Sequence, residues 1–262
     1  MKERVISAFI AFLLIIPLML LGGIYFKTLV IVLGILGLKE MLNLKRNIPT
    51  FLKIVSYLFF VILVLFGFNY SGDTIILNFS IFFNIILVLF SSLLVFDKSY
   101  NVEDALYLVG TIIFLSSSFY LFIAIRNISL NLLIYIALIT IVTDTFAYIG
   151  GRRFGKTKLA PKISPNKTKE GALCGLIVGT IIPSLFYILF INNGNILIIL
   201  LITMLLSIIG QIGDLVFSNI KRHYMIKDFS NIMPGHGGIL DRLDSIIFVV
   251  ITYSIISSLL FF

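Results

Sequence analysis

Gln211, Asp214, Ser218 and Lys221 are separated by three, four and three residues, a spacing that puts all four on one face of a helix. The rest of that segment is largely Ile and Leu, so the polar stripe must face protein or a water-filled cleft. It runs into Lys221-Arg222, then Lys227-Asp228, then the turn Pro234-Gly235-His236-Gly237-Gly238, and then Asp241-Arg242-Leu243-Asp244. The glycines would let backbone N–H groups approach an anion closely. Asp241 and Asp244 share one face of the helical turn that follows. Carboxylates and bases alternating around a glycine loop suit a metal-bound polyphosphate, in which acids hold the cation and bases neutralise phosphate oxygens. His236, held between glycines, is a candidate donor to phosphate. A basic loop with helix-capping acids would account for the bases, but not for Asp214 in an apolar segment or for the Gly-His-Gly-Gly turn.

A second polar region lies upstream. Asp144 falls in an apolar stretch eight residues before Arg152, roughly 12 Å away by helical rise, and acids inside membrane helices usually mark a site or a pathway. Residues 144 to 245 hold six acids (Asp144, Glu170, Asp214, Asp228, Asp241, Asp244), both histidines and eleven bases. Gly150 to Thr157 reads GGRRFGKT and matches the G-x-x-x-x-G-K-[ST] phosphate loop, but that loop needs a buried strand before it and a helix after it. Here an apolar helix precedes it and Pro161 and Pro165 follow, so it reads as a short basic connector. His223 and His236 have no zinc-ligand spacing with each other or with Cys174, and the single Cys174 excludes an internal disulfide.

The elements that must position these residues are membrane helices. Of 262 residues 60% are hydrophobic and 12% charged, against roughly 45 to 50% and 25% in soluble domains, and the apolar residues come in runs of the length that crosses a bilayer. Spans are expected at about 5–22, 25–44, 51–69, 74–95, 106–125, 129–150, 171–191, 195–217 and 245–262. Lys2 and Arg4 before the first run resemble a signal peptide, but no small-residue cleavage site follows, so it reads as the first span. The fold class is therefore all-α, a polytopic integral membrane protein of about nine transmembrane helices. Residues 1–128 would form a scaffold, and 129–262 the helices carrying the catalytic loops.

Bases then set the orientation. Seven lie after span six (Arg152, Arg153, Lys156, Lys158, Lys162, Lys167, Lys169) and four after span eight (Lys221, Arg222, Lys227, Arg242), on the same side as Lys2, Arg4, Lys45, Arg46, Lys53 and Lys98. That side, with the N-terminus, should be cytoplasmic. Gly171, Gly175 and Gly179 recur every four residues and would let another helix approach closely. Packing within the chain is the first reading of that face, and dimerisation the second.

From Ser218 to Ser245 the run SNIKRHYMIKDFSNIMPGHGGILDRLDS closely resembles the signature of the phosphatidate cytidylyltransferases, also called CDP-diacylglycerol synthases. The similarity extends to DTFAYIGGRRFGK from Asp144, to SPNKTKEG over Ser164 to Gly171, where Asn166 replaces a frequent Lys, and to Gly213-Asp214. It covers about the last 120 residues well. The resemblance implies transfer of CMP from CTP to phosphatidic acid, giving CDP-diacylglycerol and pyrophosphate with Mg2+ required. It also implies metal binding by Asp214 and Asp241, with Asp144 and Asp244 as supporting acids. Lys221, Arg222, Lys227 and Arg242 would contact phosphates, and Lys167 and Thr168 would cover the nucleotide. Ser218, Asp228, His236, Gly237 and Gly238 complete the expected substrate site. The expected partners are CTP, phosphatidic acid and the bilayer of the plasma membrane, with no nucleic acid and with a homodimer left open. Two rival readings are a CTP-dependent transferase or kinase acting on another lipid phosphate, and a cation transporter. Transporter sites tend to lie at the midplane between repeated halves, whereas no repeat is visible here.

Overall fold

The computed structural model describes residues 13–45, 47–66, 84–95, 100–192, 194–233, 235 and 237–260. The helices are α1 over 13–21, α2 (Gly23–Leu44), α3 (Thr50–Phe66), α4 (Asn84–Leu94), α5 (Val102–Ile128), α6 (Leu130–Phe154), α7 (Lys169–Phe190), α8 (Ile196–His223) and α9 (Leu240–Leu260). Two short strands, β1 (Lys158–Ala160) and β2 (Ser164–Thr168), stand between α6 and α7. Among the described residues five helices, α5 to α9, are long and apolar enough to cross a membrane. α2 has the length but carries Lys27, Lys39 and Glu40. The expected spans at 5–22, 51–69, 74–95 and 245–262 lie in part outside the described residues, and Lys2, Arg4, Arg46 and Lys98 lie outside them altogether. The chain is an integral, all-α membrane protein, with one small hairpin among the described residues.

The surface of α7 shows why lipid is its solvent. Leu173, Ile177, Ile181, Leu185 and Leu189 recur every four residues and are all more than half exposed, an apolar stripe that water would not tolerate at this density. The opposite stripe, Gly171, Gly175 and Gly179, is buried. Where hydrophobic exclusion cannot drive helices together, close backbone approach between small residues does so instead.

The chain divides into two compact units, one of residues 1–123 with 229–240, the other of 124–228 with 241–262. In the first, Gly34 lies against the Phe60 and Phe119 rings, which meet edge to face with centroids 5.9 Å apart. Lys45 bonds Asp104 at 2.5 Å, and the Tyr107 hydroxyl donates to the Met41 carbonyl at 2.9 Å. In the second unit α6 and α7 pack most extensively. A Cβ at Gly171 would lie 2.6 Å from the Ala147 carbonyl oxygen, and one at Gly175 2.6 Å from that of Thr143. The glycine face is therefore covered by α6 of the same chain, which is the packing reading and leaves that face closed to a partner. Buried polar pairs tie the bundle further: Thr143 with Ser207 at 2.8 Å, and Tyr135 with Thr203 at 2.7 Å.

The connector between α6 and α7 is more ordered than its composition implies. β1 and β2 are antiparallel, with Lys158 opposite Thr168 and Ala160 opposite Ser164. The Glu170 carboxylate, in the first turn of α7, accepts from the Lys156 and Thr157 amides at 3.0 and 3.1 Å and from the Thr157 hydroxyl at 2.7 Å. Strands of three and five residues containing Lys, Pro and Asn give no periodic signal, and the hairpin is closed by these tertiary bonds. Gly150 to Phe154 belong to α6 and a strand, not a helix, follows, so the phosphate-loop pattern lacks its supporting fold.

Candidate active site

Four elements of the second unit converge on one cleft of about 550 Å³. α6 contributes Asp144, Ala147, Tyr148, Gly151 and Arg152, which follow the i, i+3, i+4, i+7, i+8 pattern of one helical face. The hairpin brings Asn166, Lys167 and Thr168, α8 brings Gln211, Asp214 and Lys221, and α9 brings Asp241, Arg242 and Asp244, with Asp228 from the loop after α8. The close approach of α9 to α8 is made at Gly213, where a Cβ would meet the Asp244 carbonyl oxygen at 2.9 Å. A glycine beside Asp214 thus brings Asp214 and Asp244 into one cleft.

The carboxylates are held by specific donors. Lys167 bonds Asp214, and Ser218 donates to the same carboxylate at 3.2 Å from one turn on. Lys221, nearly buried, bonds Asp241 at 2.6 Å. Ser245 donates its amide to Asp244 at 2.8 Å and its hydroxyl to Asp144 at 3.4 Å. Asp144, Asp214 and Asp244 are close enough for each charge to act on the others, and such a group is stabilised by a cation placed among them. Among the described residues no three acidic, His or Cys side chains form a ready-made metal cage. Asp144, Asp214, Asp241 and Asp244 are the carboxylates of the cleft that could hold a divalent cation.

The other expected site residues fall differently. Thr168 lines the cleft but its hydroxyl caps α7, accepting from the Gly171 amide at 3.1 Å. Arg222 is exposed and outside the lining, its guanidinium donating to the carbonyls of Ile163 at 3.2 Å and Ile226 at 3.1 Å, so it ties the hairpin tip to the turn after α8. That turn ends the helix with Met225 at φ 55°, a left-handed position usually given to glycine. Lys227 is exposed and does not line the cleft. Gly237 and Gly238 belong to the first unit, and His236 and Pro234 lie outside the described residues. Tyr148 and Arg152, in the cleft wall, were not singled out from sequence as site residues. Their signal was available: both follow Asp144 at helical spacing.

Residues 2–260 match the profile of the cytidylyltransferase family. The chain belongs to that family. It is 38% identical over 254 residues to the phosphatidate cytidylyltransferase of Staphylococcus haemolyticus, covering 95% of this chain and 96% of that protein. The proteins of the same name from Staphylococcus epidermidis and Staphylococcus aureus are 36% and 35% identical over the same shares. Membership in the cytidylyltransferase family makes the cleft the place to look for nucleotide chemistry, and it separates two lysines of the connector. Lys167→Ala is expected to lower turnover more than about tenfold, because it removes a partly buried cation from Asp214. Lys156→Ala should stay within about twofold, since only the backbone of Lys156 is used and its side chain is exposed. Steady-state assays of the two purified variants check this, and an essential Lys156 with a dispensable Lys167 would displace the site from the hairpin.

Proposed function

We propose that the protein is a phosphatidate cytidylyltransferase, an enzyme that joins CTP and phosphatidic acid to give CDP-diacylglycerol and pyrophosphate. The observation that carries this reading is a single cleft in which acids from α6, α8 and α9 stand among Arg152, Lys167, Lys221 and Arg242, combined with near full-length similarity to proteins of that name. A phosphate oxygen of phosphatidic acid attacks the α-phosphorus of CTP as the bond to the pyrophosphate oxygen breaks. The nucleophile comes from the lipid, so no serine or cysteine has to form a covalent intermediate. Lys167, Lys221, Arg152 and Arg242 orient the phosphates and offset their charge, and positioning with charge neutralisation does most of the work in this class of transfer. Magnesium, held by Asp214 and Asp241 with Asp144 and Asp244 in support, would neutralise the triphosphate.

Purified protein incubated with labelled CTP, magnesium and phosphatidic acid should yield labelled CDP-diacylglycerol and pyrophosphate. Labelling of a different lipid phosphate in preference, or transfer of the γ-phosphate alone, would replace this reading with one of the other CTP-dependent reactions. The same reading places residues 152–170 and 219–240 in the cytoplasm and the protein in the plasma membrane, where soluble CTP reaches the cleft and the lipid enters from the bilayer. Single cysteines introduced in either segment should resist an impermeant thiol reagent in sealed cells and react after permeabilisation. Efficient labelling of both from outside would reverse the topology.

A further inference from the structure

Glu40 is the most deeply buried acid of the described residues, 1% exposed in α2, and its partners are all far along the chain. Its Oε1 accepts from the Ser230 hydroxyl at 2.6 Å and from the Ile239 amide at 2.8 Å, and its Oε2 accepts from the Leu240 amide at 2.8 Å. Leu240 is the first residue of α9 and Ile239 immediately precedes it, so these two amides belong to the group of helix-starting N–H donors that have no partner within their own helix. Capping usually comes from a side chain next to the helix in sequence. Here it comes from 200 residues upstream. The carboxylate lies so close to Gly238 that a Cβ there would overlap it, with Cδ at 2.7 Å and the second oxygen at 2.8 Å. Gly237 beside it sits at φ 86°, a conformation that glycine adopts without penalty. At Gly238, therefore, the anion that the absent side chain admits is a carboxylate of the chain itself.

We infer that Glu40 is a positioning residue for the reaction, capping α9 from a distant helix and fixing the chain one peptide bond before Asp241. Its charge matches the positive end of the α9 dipole, and three charge-assisted bonds to one carboxylate define both its place and that of the segment it holds. Asp241 follows Leu240 directly and Asp244 lies three residues later, so the grip on Leu240 sets where α9 begins and, through the regular rise of the helix, where its two cleft carboxylates stand. A neutral amide cannot replace it. Gln offers one acceptor oxygen and turns an NH2 group toward at least one of the same donors.

The inference rests on the proposed reaction for its activity readout, and hydrogen exchange provides a readout that does not. In Glu40→Gln the amides at 239–241 should exchange at least about tenfold faster, the loss expected for charge-assisted bonds, while α5 and α8 keep their protection. Turnover per folded molecule should drop about 10- to 100-fold, as small displacements of reacting groups do, and the magnesium concentration for half-activation should rise. Glu40→Asp keeps the charge but shortens the reach by one methylene, and should fall between wild type and Gln on each measure. It also serves should Gln prevent folding. Ser230→Ala, which removes one of the three bonds, should be milder than either. Unchanged exchange at 239–241 would overturn the inference. So would a lower yield of folded protein whose turnover and magnesium requirement match wild type, because that is the pattern of a merely structural glutamate. A wild-type protein that makes no CDP-diacylglycerol would remove the proposed function while leaving the exchange experiment to decide the capping role.

Discussion

Asp214→Asn and Asp241→Asn each lower turnover at least about a hundredfold, the effect expected when an anionic ligand of a catalytic cation is neutralised without change of shape. The two differ in what else they disturb. Asp214 and Lys167 both remain about a quarter exposed, so losing that charge pair costs little stability and Asp214→Asn should insert and purify normally. Lys221 and Asp241 are more enclosed, at 11% and 4% side-chain exposure. Removing the Asp241 carboxylate takes the 2.6 Å bond from a largely buried ammonium, which still faces the Asp244 charge, a loss on the order of 1–3 kcal/mol. Asp241→Asn should therefore also melt at lower temperature, and adding Lys221→Met should recover melting temperature but not turnover. If both acids act through one ion, the double Asn variant is little worse than either single, and excess magnesium rescues each only in part. Turnover with labelled CTP and thermal unfolding in detergent measure both sides. Near-normal turnover in well-folded Asp214→Asn or Asp241→Asn would return these acids to a structural role.

Gly175→Val should abolish most folded protein. The added Cβ meets the Thr143 carbonyl oxygen at 2.6 Å and the Ala147 Cβ at 2.9 Å, and both sit on the α6 backbone or next to it, so neither can move without the whole helix. Overpacking of this kind costs about 1–3 kcal/mol where side chains can rearrange, and more where backbone must part. Asp144 is the residue after Thr143, so any separation of α6 from α7 also displaces a cleft carboxylate, and turnover should fall further than stability alone explains. Gly175→Ala should show the same effects in smaller measure. Ile177→Val, on the exposed face of the same helix, should do neither, since lipid accommodates the change. Yield from membranes, melting temperature and turnover of the three variants test this. Wild-type behaviour of Gly175→Val would mean that the seam between α6 and α7 is looser than the structure has it.

Much was determined by the sequence alone, for reasons that are local. Runs of Leu, Ile and Phe fix a lipid environment because length and hydropathy are properties of a segment. The stripe Gln211, Asp214, Ser218 and Lys221 had to lie on one helical face because α8 is a regular helix, and Asp241 and Asp244 share one face of α9 as their spacing requires, Asp241 in the first turn and Asp244 just beyond it. The span count is different in kind, since four of the expected spans rest partly on residues outside those described. Tertiary structure alone decided which charges meet. Lys167 reaches Asp214 across 47 residues and Lys221 reaches Asp241 across 20, and no periodicity encodes such partners. The hairpin at 158–168 exists because Glu170 and Arg222 hold it, not because its residues prefer strands. Arg222, which sequence assigned to substrate, reaches the Ile163 carbonyl across 59 residues, a neighbour made only on folding, whereas Thr168 caps its own helix through Gly171, three residues on. Glu40 was invisible for the same reason: a lone acid in an apolar helix has no pattern, and its meaning lies in the two amides that the folded chain brings to it from 200 residues away.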